Sequence, residues 1–271
     1  SGQPIPVFVD RQNLSKLYIY SDYDVLNLSC QDALEERRAA GRSRCPRCRA
    51  SRMFYCYSCH VLVHDLEPQR VPRVQLPLKV DIIKHPNETD GKSTAVHAKI
   101  LAPDDVTIYT YPSIPDFYKP NKVLLVFPQP GSLTLEKLME NQRRARLGLP
   151  PIGSSEHSTE EHAAKRLKCL HGSKPIAVFI DCTWNQTNKI ILDERLQGLQ
   201  CVELRKHETH FWRRQKGKPS TYLATIEALY YFLEEYDQLV LGRPPTGCYD
   251  NLLFFYSYMY GLVHSAKAEK L

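Results

Sequence analysis

Short apolar runs alternate with polar, turn-rich connections along the whole chain. Ile176–Ile180 and Lys122–Phe127 are nearly continuous apolar stretches of strand length, as expected for strands buried on both faces, and Pro128 stops the second. Val80–Lys84 and Gln200–Leu204 predict further strands. Helical segments are expected over Gln31–Arg42, where Leu34 is the main apolar residue, and over Gly91–Leu101, Ser132–Glu140 and Lys189–Leu196. Thr221–Tyr236 predicts the strongest helix, with Leu223, Ile226, Tyr230 and Leu233 along one face and Ser220 as its N-cap. Asn251–Val263 is apolar nearly all round, as a buried helix is. Strands alternating with helices predict an α/β domain with a mostly parallel sheet covered on both faces. Asn141–Lys174 has no apolar period and contains Pro150-Pro151 and Gly153-Ser154-Ser155, so it reads as an insertion or linker.

Composition adds a size and a metal. A chain of 271 residues that is 42% hydrophobic can bury a sizeable core. The net charge of +6 is modest, so its distribution matters more than its sum. No apolar run approaches a membrane span, which argues against a membrane partner. Of nine cysteines, four form Cys45-Pro46-Arg47-Cys48 and Cys56-Tyr57-Ser58-Cys59. Two C-x2-C turns at this spacing complete a tetrahedral four-sulfur shell suited to structural zinc in a reducing compartment. A set of free thiols or a disulfide is the alternative, and His60 or His64 could stand in for one ligand. Cys30, Cys169, Cys182, Cys201 and Cys248 are isolated and read as inert. The expected division is a segment 1–65 carrying the zinc module and a catalytic domain 66–271 interrupted by the insertion at 141–174.

Asp181-Cys182-Thr183-Trp184 ends the buried strand at 176–180, and open α/β sheets hold ligands at the carboxyl ends of their strands. An Asp after a strand also caps turns and a Trp also anchors cores, so the motif alone supports either reading. His85-Pro86-Asn87-Glu88 and Phe127-Pro128 likewise end strands. A helix opening at Ser220-Thr221 would offer free N–H groups to a carboxylate. Glu227, further along that helix, is either a core-edge acid or a ligand contact.

With the cysteine pairs, His85-Pro86-x-Glu88, Lys92-Ser93-Thr94, Phe127-Pro128, Asp181-x-Thr183-Trp184 and Ser220-Thr221-x6-Glu227 in this order, the chain resembles the DTW-domain family (the TDD superfamily). The resemblance runs from about residue 45 to 235. It implies a SPOUT-like, mostly parallel α/β sheet with a C-terminal trefoil knot, beside the small N-terminal zinc-binding module. It implies a tRNA-uridine aminocarboxypropyltransferase, which moves the 3-amino-3-carboxypropyl group of S-adenosylmethionine to uridine N3 and forms acp3U. Cys182 departs from the Gly or Ala common in bacterial members, and Ser93-Thr94 from their Asn-Thr.

On that reading Asp181 and Trp184 are the catalytic candidates. Asp181 accepts or orients the N3 proton or binds the donor's amino group, while Trp184 walls the donor and faces its sulfonium. Ser220 and Thr221 are candidates for the donor carboxylate, with Thr94, Phe127, Thr183 and Glu227 as further donor contacts. Six cations within 14 residues, Arg205, Lys206, Arg213, Arg214, Lys216 and Lys218, surround Phe211 and Trp212 and suggest a tRNA-binding surface. The alternative is a solvated face with both aromatics in the core. Arg44, Arg47, Arg49 and Arg52 around the metal module suggest a second RNA-facing patch. Lys165-Arg166-Leu167-Lys168 resembles a short nuclear-import signal, and the resemblance favours nucleus over cytoplasm. Rival functions are an RNA methyltransferase of SPOUT-like fold using the same donor and a non-catalytic zinc RNA-binding adaptor.

Overall fold

The computed structural model describes residues 26–88, 91–117, 122–152, 174–183, 186–209 and 222–268, with side chains through residue 263. Its centre is a six-stranded sheet in which every pairing is parallel: β5 (Lys79–Lys84), β6 (Val106–Thr110), β7 (Val123–Val126), β8 (Leu133–Thr134), β9 (Ile176–Asp181) and β10 (Gln200–Glu203), in the order β6-β5-β9-β7-β10-β8. Alternation along each strand sends Val80, Ile82, Leu124, Val126, Ala177, Phe179 and Val202 to one face. There they meet α2 (Ala95–Leu101), α5 (Thr225–Leu239) and the first turns of α6 (Phe254–Ala268) in the main core. Ile83, Val123, Leu125, Val178 and Cys201 face the other side and pack on α4 (Thr187–Ile191) and residues 111–117.

The order of connections sets the site. The chain leaves β5 towards the edge strand β6, but leaves β9 in the opposite direction, towards β10. Connections therefore diverge between β5 and β9, and such switch points are where parallel sheets bind ligands. Lys84 stands opposite Asp181 in the register, and the His85 N–H donates to the Asp181 carbonyl at 3.1 Å.

Two small antiparallel hairpins, β1 (Ser43–Arg44) with β2 (Ser51–Arg52) and β3 (Tyr55–Cys56) with β4 (Val61–Leu62), carry the cysteine pairs after α1 (Asp32–Ala40). Phe54, Tyr55, Val63 and Leu66 belong to the main core, so the module is fastened to the sheet domain rather than tethered to it. Tyr55 Oη lies 2.6 Å from Nε2 of fully buried His97 on α2, and 3.6 Å from the Met259 sulfur. Burial pushes the His97 pKa down to about 3, so the ring is neutral. With its proton on Nε2, His97 donates to Tyr55 and Tyr55 to Met259, leaving only the bare Nδ1 without a partner. An unmet acceptor is the cheaper arrangement.

Several elements differ from the sequence expectations. The strongest helix opens at Thr225 with Ala224 as N-cap, not at Thr221 with Ser220. Residues 141–146, read as linker, continue α3 (Leu135–Arg146), because Gln, Arg and Ala propagate a helix beyond its buried turn at Leu135 and Leu138. The short helix α4 precedes most of the predicted 189–196 span. Strand β6 and the four hairpin strands were not anticipated. Asn251–Val263 divides into a 3-10 turn at Asp250–Leu253 and α6.

Candidate active site and metal centre

Asp181 points to the α2–α5 side of the sheet and is only 4% exposed. Its Oδ2 accepts from Ser93 Oγ at 2.6 Å and its Oδ1 from Thr225 Oγ1 at 2.5 Å. The carboxylate thus bridges the residue before the α2 N-cap and the first residue of α5. Burial pushes its pKa up, against the pull of both hydroxyls and the charge of Lys84. Beside it, Thr94 stands at the N-cap position of α2 without a side-chain bond to that helix, and its Oγ1 accepts the Ile226 N–H at 3.1 Å. Glu227 Oε2 accepts from the Ala224 N–H at 2.7 Å and from Thr209 Oγ1 at 2.6 Å. Glu227, at the third position of α5, closes back on the cap N–H from inside the helix, and Thr94 supplies the acceptor for the Ile226 N–H that a capping hydroxyl at Ala224 would otherwise provide. The Ala224 and Ile226 amides are already committed to Glu227 and Thr94.

Glu88 reaches the same place from β5. Its backbone N–H donates to the His85 carbonyl at 3.0 Å, and its half-buried carboxylate feels the dipole of the Thr183 backbone N–H, which itself donates to Gln186 Oε1 at 3.2 Å. Burial raises its pKa and the charge of Asp181 raises it further, while Thr183, Lys92 and Lys84 oppose the rise. Cys182 is pushed up to about 12 by burial and by the charges of Asp181 and Glu88, so it stays a thiol and is no nucleophile at neutral pH. His85 Nδ1 accepts the Asn87 N–H at 3.1 Å, so its proton, when neutral, sits on Nε2.

Of the residues singled out from sequence, Asp181, Thr183, Thr94 and Glu227 converge around β9 and the α5 start. Thr183 is exposed at the mouth of this region. Phe127, at the end of β7, packs on the second core cluster and donates its N–H to Val202. Trp184, Ser220 and Thr221 lie outside the described residues, as do Phe211, Trp212, Arg213, Arg214, Lys216, Lys218 and the 165–168 run. Arg205 and Lys206 are exposed; Arg205 Nη2 is 3.4 Å from Glu136. Glu88 and Ser93 stand in the sequence only as members of family motifs without an assigned role, and Thr225 is not among the sequence candidates. The signal for them is spatial: Ser93 and Thr225 stand 88 and 44 residues from the acid they hold.

The metal centre follows the spacing. The sulfur atoms of Cys45, Cys48, Cys56 and Cys59 all lie within 4.8 Å of one another, and the Cys48–Cys56 pair is at 3.6 Å. Zn–S bonds of about 2.3 Å imply tetrahedral edges of about 3.8 Å, so the group fits zinc. The two turns are built alike. Arg49 and His60, each following the second cysteine of its pair, have positive φ (62° and 54°), and their N–H groups donate to the Cys45 and Cys56 carbonyls at 3.1 and 2.8 Å. Burial pushes the Cys45 thiol up, but the Cys48 and Arg47 N–H groups and the neighbouring thiols bring it down to about 6. A shell closed by four cysteines leaves no open position for catalysis.

A parallel sheet whose switch-point strand ends in Asp-x-Thr-Trp, fused to a four-cysteine module, defines a DTW-domain protein. The chain belongs to this family, with the DTW domain matched over residues 53–264. It is similar to proteins named tRNA-uridine aminocarboxypropyltransferase 1: 50% identical to that of Xenopus tropicalis over 89% of this chain and 86% of the relative, and 51% to that of Mus musculus over 90% and 84%. For the Homo sapiens protein the identity is 49% over 97% of this chain and 91% of the relative. No solved structure matches the chain.

Proposed function

We propose that this protein transfers the 3-amino-3-carboxypropyl group of S-adenosylmethionine to N3 of a uridine in tRNA. The observation that carries the reading is the similarity to aminocarboxypropyltransferases, about half of all residues across nearly nine-tenths of both chains. The switch-point carboxylates suit the chemistry. Attack on the methyl carbon of the sulfonium would methylate; attack on the γ-carbon transfers the amino acid arm. The choice is one of positioning, which supplies several kcal/mol of a barrier.

Asp181, with both oxygens taken by hydroxyls, orients the donor region by locking Ser93 and Thr225. Glu88, half-buried and raised in pKa, is the proton acceptor. It takes the N3 proton, the N3 lone pair forms the bond to the γ-carbon, and the carbon–sulfur bond breaks to release a neutral thioether. Trp184, Thr183, Phe127, Ser220 and Thr221 line the donor in this reading, and Thr94 and Glu227 hold the start of α5 against it. Zinc in the four-cysteine shell is structural. Arg205, Lys206 and the cations at 213–218 contact tRNA. The C-terminal trefoil knot and a nuclear address belong to the same reading.

Incubation with tRNA and labelled donor, followed by nucleoside mass analysis, tests it. A uridine bearing the aminocarboxypropyl increment is expected; a methyl increment would make the protein a methyltransferase. No product and no donor binding would leave a non-catalytic RNA-binding protein. Glu88→Gln is expected to lower kcat about 10²- to 10⁴-fold with donor and tRNA affinity unchanged. Because its pKa is raised, Glu88 is deprotonated only above the usual carboxylate range. The wild-type rate therefore climbs with pH through that raised value, and the variant loses this limb. A variant with the wild-type rate and pH profile would remove Glu88 from the mechanism.

A further inference from the structure

Between Arg37 and Asp65 the sequence contains no acid but carries Arg42, Arg44, Arg47, Arg49 and Arg52 around the metal turns. Surface arginines are commonly neutralised by nearby carboxylates, as Arg38 is by Glu35 and Arg70 by Glu36. On the metal module they are not. Among the described residues, Arg42, Arg44, Arg47 and Arg52 bond backbone carbonyls, the Ser51 hydroxyl and a ring instead. Arg44 Nη1 donates to the Arg49 carbonyl at 3.2 Å, Arg47 Nη1 to the Cys59 carbonyl at 3.4 Å, and Arg42 Nη2 to the Ser51 carbonyl at 2.8 Å. The Arg52 guanidinium lies 4.5 Å over the Tyr57 ring. Arg42, Arg44, Arg47 and Arg49 are exposed.

Each of these contacts fixes a guanidinium while leaving its full charge, and the exposed Arg42, Arg44 and Arg47 keep that charge at the surface. Holding a long side chain in place beforehand reduces the entropy lost on binding. The planar fork matches phosphate oxygens. A four-thiolate zinc shell itself carries a net charge of −2, which five guanidinium groups outweigh. The turns bearing the arginines are the ones the metal rigidifies, with Arg49 itself at a positive-φ corner. One face of the Tyr57 ring is taken by Arg52, so that face stacks no base.

We infer that this arginine face of the metal module grips the phosphate backbone of tRNA without reading its sequence. The inference rests on tRNA as the substrate and adds a docking surface on elements other than those of the switch point. It assigns the module to affinity and the β5–β9 junction to chemistry.

The test is tRNA binding as a function of salt, with the metal-loaded protein and the triple variant Arg44→Gln/Arg47→Gln/Arg49→Gln. The variant is expected to keep its zinc and its donor affinity. Its tRNA affinity at about 0.15 M salt should fall about 10- to 100-fold, and the log–log salt slope should shrink by about 2 to 3. A tRNA lacking the target uridine should show the same loss, and kcat at saturating tRNA should hold. The triple Arg→Lys variant, which keeps the charges, should retain most of the slope. Wild-type affinity and slope in a zinc-loaded Gln variant would overturn the inference. A loss confined to the tRNA that carries the target uridine would also overturn it. Binding is measured without turnover, so absence of acp3U from the wild type would sink the proposed reaction and leave these binding results to be judged by themselves.

Discussion

Replacing Cys45 by serine should strip the metal from the protein and melt the module between residues 43 and 62. Cys45 is fully buried, as is Cys56, and its sulfur accepts the Arg47 and Cys48 N–H groups at 3.4 and 3.5 Å. A serine oxygen is a poor zinc ligand in a sulfur shell, and three remaining thiolates do not close it. Structural zinc sites in small modules hold about 10–16 kcal/mol of binding free energy that is also folding free energy. Two non-glycine residues at positive φ, Arg49 and His60, cost about 1–3 kcal/mol each and persist only while the shell over-determines them. The loss should spread inward, because Phe54 and Tyr55 enter the main core and Tyr55 holds His97 one turn from the α2 cap. Metal analysis should give near-zero zinc and a thermal melt should shift down, with tRNA binding falling more than donor binding. Cys201→Ser, far from the shell, should leave zinc unchanged. Full zinc content in the Cys45 variant would refute the four-cysteine centre.

The features legible in sequence were those encoded locally. Uninterrupted apolar runs marked β7 and β9 because strands buried on both faces need them, and the C-x2-C spacing marked the metal turns because two bonds from one tight turn require it. Strand β6 was missed because it is the sheet edge: Val106 and Ile108 pack inward while Thr107 and Thr110 are exposed, too weak an alternation in five residues. The start of α5 was misplaced because its cap partner, Glu227, lies inside the helix, whereas Ser220 looked like an ordinary N-cap. The partners of Asp181 were invisible because the order of strands brings them together. Only insertion of β9 between β5 and β7 sets its end beside Ser93, and only the return through β10 brings in Thr225. Glu88 was legible as part of a motif, but its role depends on the charge of an acid 93 residues later in the chain.

Asp181→Ala should reduce transfer by about 100-fold or more, and Asp181→Asn should recover most of it. The alanine leaves the Ser93 and Thr225 hydroxyls without their shared acceptor. The two loops at the switch point then lose their common fixed point, and a displacement of about 1 Å at a reacting centre costs about 10²-fold. Asparagine still offers one carbonyl oxygen, so a positioning residue tolerates it; a proton acceptor does not, and both substitutions would then fall equally by about 10²- to 10⁴-fold. Stability separates the same roles. Burial raises the Asp181 pKa above its unfolded value, so its contribution to stability is fully present below the ordinary carboxylate range. That contribution is lost as pH rises through the raised value, where the ion must stay buried. Asp181→Asn should flatten this part of the stability–pH curve, read by denaturant midpoints across pH. Full activity in Asp181→Ala would remove the residue from the mechanism. Equal loss in both variants, with a folded protein and intact donor binding, would return the proton to Asp181 and leave Glu88 the supporting charge.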